Sequence, residues 1–166
     1  METKTKALAL TLVFATAAFL LDGNAPLGAL LWPPAKGMPV PTSGQVALFM
    51  VYTVLRSIVF GVGAAWLLLG WSYVRRAAAS LPSAALAYVA VAWVTMNWVP
   101  HDNLHMAVGM DLNALIALEY GFHLSLMVAG LALMPFVGGV FEQAARGRPA
   151  ARTATVSVRT PGAVQR

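Results

Sequence analysis

Residues 97–123 read NWVPHDNLHMAVGMDLNALIALEYGFH. How this stretch folds decides the architecture, because it either runs on as one helix or breaks and turns back. It holds all three histidines of the chain, His101, His105 and His123, and three of its six acidic residues, Asp102, Asp111 and Glu119. His101 and His105 are four apart, and so are Glu119 and His123, so on a helix each pair shares a face. In one straight helix His105 and His123 would lie about 27 Å apart, too far to share an ion. Gly109 is the local candidate for a break. A break there makes residues 100–110 a lid and lets Asp111 cap a new helix.

Outward from this stretch the chain is mostly apolar. It has 166 residues, 59% hydrophobic and 10% charged, with a mean hydropathy of +0.71. Soluble domains average about 25% charged residues, and so few charges cannot cover a soluble surface of this size. The expected fold is all-α, an integral membrane four-helix bundle with residues 1–145 as its four-span domain. The apolar runs fall at 7–21, 45–74, 82–99 and 111–142. The first is short, about 15 residues where a span needs ~17–25, so a cleaved signal peptide competes with a retained span. Its apolar character continues through Phe19, Leu20 and Leu21, which favours the span. Residues 22–45 form a Pro- and Gly-rich linker in which Leu30, Leu31 and Trp32 suit an interfacial patch. Pro82 opens the third span and Pro100 is expected to stop it. Residues 146–166 are basic and aperiodic and are expected to be a disordered tail.

Small residues recur where helices would approach closely: Gly61 with Ala65, then Gly121, Ser125 and Ala129, and Ala84, Ala87 and Ala90. The basic residues set the orientation. Lys4, Lys6, Arg75, Arg76, Arg146, Arg148 and Arg152 fall on one side of a four-span arrangement, and Lys36 falls on the other. The positive-inside rule makes the first side cytoplasmic, so both termini are expected inside a plasma (cytoplasmic) membrane. Arranged in this way, the +5 net charge is a topology signal, and no basic stripe before residue 146 suits a nucleic acid. With no cysteine, thiolate metal sites, iron–sulfur clusters and disulfides are excluded.

The rise per residue gives a height for each polar group above the cytoplasmic arginines. Arg56 comes out near 28 Å, Asn97 near 26 Å, Asp22 near 24 Å, His101 near 32 Å, His123 near 30 Å and Glu119 near 36 Å, each within about 5 Å. They cluster at the outer edge of a ~30 Å hydrocarbon core, where they could wall an outward-facing pocket. In that pocket Arg56 and Asn97 are candidates for contact with a bound cofactor or anionic ligand. Arg56 is also the natural ion-pair partner of Glu119, at a similar height and of opposite sign.

Imidazole with carboxylate suits a divalent metal: zinc, copper or iron. His101, His105 and His123 are the expected ligands. Asp102, Asp111 or Glu119 completes the set, and Glu119 serves as a ligand or as a general base. Met106 and Met110 would favour copper(I) if their sulfurs turned inward. The leading expectation is therefore a metal-binding membrane protein, extending to a small metal-dependent hydrolase or oxidoreductase. An accessory or assembly subunit of a larger membrane complex is the alternative. A b-type haem protein pairing His101 or His105 with His123 is the third. A transporter ranks last, because four spans show no internal repeat. The expected partners are the lipid bilayer and other membrane subunits or further copies of the chain.

Overall fold

The computed structural model describes residues 2–25, 27–39 and 41–146. The expected disordered tail lies outside them from residue 147 onward. The regular elements among the described residues are all helices: α1 (Glu2–Leu21), α2 (Gly28–Leu31), α3 (Ser43–Leu69), α4 (Trp71–Ala77), α5 (Leu81–Met96), α6 (Trp98–Val108) and α7 (Leu112–Arg146).

The helix ends follow from local chemistry. α1 begins five residues ahead of its apolar run, at Glu2, whose carboxylate lies 3.9 Å from Lys6 one turn on. The polar start lengthens the helix to 20 residues, which at 1.5 Å per residue spans about 30 Å and supplies the length the apolar run lacks. Thr42 and Gln45 form a reciprocal capping box that starts α3. Ser80 caps α5, with Pro82 in the first turn, where a missing N–H costs nothing. Asp111 accepts from the Asn113 and Ala114 amides at 3.1 Å each and so caps α7, as its position suggests.

Two boundaries differ from the sequence reading. The second run does not continue as one helix to residue 74, because α3 ends before Gly70 and α4 carries Arg75 and Arg76. Pro100 does not stop a helix either. It sits in the first turn of α6, and the break falls three residues earlier, at Asn97, where the axes of α5 and α6 diverge by 45°. A proline ring clashes with the carbonyl four residues back, here Met96, so the bend lies on its N-terminal side.

α1 packs along α3, α3 along α5 and α5 along α7, so among the described residues the principal contacts form a row. Neighbours run antiparallel. Arg56 of α3 meets Asp22 after α1, while Gly61 backs onto Thr11 and Ala15. Trp93 of α5 donates to Ser125 of α7 at 3.0 Å, while Ala84 and Ala87 lie near Leu133 and Phe136. The seams use the expected small residues. Gly61, Ala64 and Ala65 are buried, as are Ala84, Ala87, Ala90 and Ala129. A Cβ at Gly61 would strike the Thr11 carbonyl and come within 2.9 Å of the Ala15 nitrogen, which is why α1 can lie so close to α3. Gly121 departs from the pattern, since a Cβ there meets nothing.

Three helices are long and apolar enough to cross a membrane: α1, α3 and the stretch Leu112–Glu142 of α7. The bent pair α5–α6 makes a fourth if counted as one span. Their apolar side chains mostly face outward, with Leu8, Leu12, Val62, Leu68, Leu124, Met127 and Leu131 all exposed.

Candidate metal centre

The bend at Asn97 and the turn at Gly109 place α6 between two polar clusters. Gly109 has φ +63°, a left-handed conformation that suits glycine, and a Cβ there would collide with the Ala35 side chain. This turn folds α6 back against α7, removing the 27 Å separation that a straight helix would impose.

The first cluster faces α1 and α3. Arg56 donates from Nε to Asp22 Oδ2 at 2.8 Å and from one terminal nitrogen to Asp22 Oδ1 at 2.6 Å. That nitrogen also donates to Thr53 Oγ1 at 3.1 Å. The other terminal nitrogen pairs with Asp102 Oδ2. The Arg56 side chain is 3% exposed, Asp22 0% and Asp102 30%. The Asn24 amide bridges the two carboxylates, donating to Asp22 Oδ1 and Asp102 Oδ2. Next to Asp102, the buried Asn103 accepts from the Gly23 amide at 2.8 Å, and the Met106 carbonyl accepts from Ala35 at 3.0 Å. The expected Arg56–Glu119 pair is therefore replaced by Arg56 with Asp22 and Asp102. The helix rotations decide this, and the sequence does not fix them. The heights of Asp22 and Arg56, estimated within a turn of each other, were the available signal for their pairing.

The second cluster lies on the opposite face of α6. His105 Nε2 is 2.6 Å from Glu119 Oε1, and His101 Nε2 is 3.7 Å from the same oxygen. His123 Nδ1 lies 3.1 Å from Glu119 Oε2 and 2.8 Å from the Glu119 backbone oxygen. The ring of His101 stacks on Phe122, centroids 3.7 Å apart, and meets the His105 ring edge-on at 4.6 Å. Phe122 thereby fixes the His101 imidazole plane. Nε2 of His101 is buried and lacks a hydrogen-bond partner among the described residues, an expensive state for a polar atom.

One ligand atom from each of His101, His105 and Glu119 lies within 4.8 Å of the others, so this group could hold a metal ion. A tetrahedral ion with bonds of ~2.0–2.2 Å separates its ligand atoms by roughly 3.3–3.6 Å. Small side-chain rotations close that gap for His101 and open it for His105. The structure brings Glu119 to the two α6 histidines and sets His123 behind the carboxylate, its ring centroid 6.2 Å from that of His101. Asp102 faces Arg56, away from this group. Asn97 occupies the bend between α5 and α6, and Asp111 is the cap of α7. Met106 packs toward Gly23 and Met110 is 71% exposed, so the three converging ligands are nitrogen and oxygen.

The chain matches no family model, and comparison with curated proteins and with solved structures finds no match.

Proposed function

We propose that the chain is a multi-pass protein of the plasma membrane, both termini cytoplasmic, that binds one divalent metal ion between α6 and α7 near the outer surface. Membrane insertion is supported by helix length and by the outward-facing leucines and valines, a surface that water does not tolerate at this extent. Orientation rests on Lys4, Lys6, Arg75 and Arg76 lying at one end of the antiparallel row, opposite Lys36.

The observation that carries the metal reading is the convergence of His101 Nε2, His105 Nε2 and a Glu119 oxygen, with the first of these buried and without a hydrogen bond among the described residues. An ion bound there receives two neutral imidazoles and one carboxylate. His123 holds the other carboxylate oxygen, as outer partners of metal ligands commonly do. Three protein ligands leave a coordination position open, the arrangement that metal-assisted hydrolysis or oxidation uses. Zinc or iron suits this nitrogen and oxygen set better than copper(I). A haem fits poorly, because Phe122 stacks on His101 and Glu119 occupies the space between the imidazoles.

A second reading has its own support. Glu119 is already engaged by His105 and His123, so the cluster also works as a clasp joining α6 to α7 in a subunit of a larger assembly. Metal analysis of the purified protein separates the two. The metal reading expects about one ion per chain, bound more weakly in His105→Ala and lost in Glu119→Gln. The clasp reading expects no ion in any of the three proteins.

A further inference from the structure

The metal site opens sideways, onto the outer wall of the row. α7 is the last helix of that row, and away from its contacts with α4, α5 and α6 its side chains are exposed. On this face Ile116 is 45% exposed, Tyr120 66% and Met127 63%. Into the same stripe fall Glu119 and His123, whose side chains are 42% and 61% exposed. Leu112, Leu115, Ile116 and Tyr120 join these two residues in lining a groove of about 490 Å³. Ionisable side chains within spans normally face the helix bundle or a partner; Glu119 and His123 partner each other, and both also reach this apolar wall. His123 turns its Nδ1 toward Glu119, and its ring is largely exposed on this wall.

We propose that the open coordination position is filled by the oxygen-bearing head of a single-chain amphiphile lying along this wall. Its polar head sits beside Glu119 and His123 at the mouth of the groove, and its apolar chain packs on Ile116 and Tyr120. A groove of this volume accommodates such a molecule. The inference rests on the metal reading above and adds the chemical class of the ligand and its lateral route.

The test uses the full chain in lipid nanodiscs, loaded with cobalt(II), whose visible absorption reports changes in its ligands. Two probes share a head and differ in chain: acetohydroxamate and dodecanohydroxamate. The long probe should perturb the cobalt bands at a concentration at least about tenfold below the short one. Partition into the bilayer also concentrates the long probe, equally for every variant. The Ile116→Ala/Tyr120→Ala double variant therefore isolates the groove. It should bind cobalt and acetohydroxamate as the parent does, while needing at least about tenfold more of the long probe than the parent. An advantage that is absent, or unchanged in the double variant, overturns the amphiphile inference and leaves the metal reading standing. Failure to obtain Glu119-dependent cobalt bands overturns both.

Discussion

Glu119 is the residue on which the second cluster turns, since its two carboxylate oxygens face imidazoles from two helices. Removing its charge while keeping its shape, as Glu119→Gln, should abolish metal retention and leave the helices folded, as metal content and circular dichroism together would show. Imidazole coordinates a divalent ion only when neutral, so protons compete for the site. Occupancy should fall as the medium is acidified and recover on neutralisation, followed by metal retention after dialysis at each pH. Occupancy indifferent to pH between about 5 and 8 would contradict imidazole ligation. The first cluster predicts an asymmetry. Arg56→Gln leaves two neighbouring carboxylates without their cation and should cost about 3–5 kcal/mol. Asp22→Asn leaves Arg56 with Asp102 and should cost less. Unfolding in detergent would rank them, and a greater loss from Asp22→Asn would contradict the shared-cation geometry. The histidines and carboxylates themselves were legible from type and spacing. Their partners were not, because which carboxylate meets which cation depends on rotation about each helix axis.

Among the elements, α6 is the one that carries both clusters. Asp102 and Asn103 face α1 and α3, while His101 and His105 face α7. Its ends are set by the bend at Asn97 and the left-handed Gly109. Gly109→Ala should destabilise the protein by about 1–3 kcal/mol, since an alanine must adopt a positive φ and displace Ala35. Gly121→Ala makes the contrast: a Cβ meets nothing there, and mid-helix alanine should be neutral or stabilising by up to about 1 kcal/mol. Thermal unfolding of the two variants checks the pair, and equal effects would argue against a structural role for the Gly109 turn. The Gly109 break was legible because a straight helix separates the histidines and no other local residue permits the turn. The helical lid was not. Pro100 reads as a stop signal, but a proline in a first turn is compatible with a helix that starts just before it.

At the scale of the whole molecule, apolar composition made three membrane-length helices readable, and a fourth if the bent pair α5–α6 counts as one span. The order of packing was less so. The row of α1, α3, α5 and α7 depends on which small-residue faces meet, and Gly121 shows that small spacing alone does not mark a seam. Lys36→Cys and Met110→Cys lie on exposed positions between segments, and Ala79→Cys lies next to the arginines of α4. An impermeant thiol reagent added to intact cells should label the first two and spare the third. Labelling of Ala79→Cys alone would invert the orientation.

The central claim, one ion held by two α6 histidines and an α7 carboxylate, is tested most directly by X-ray absorption spectroscopy at the edge of the bound metal. The account predicts a first shell of nitrogen and oxygen at ~2.0–2.1 Å, with outer-shell scattering from two imidazoles falling to one in His105→Ala. A spectrum without imidazole scattering, or one that His105→Ala leaves unchanged, would contradict it.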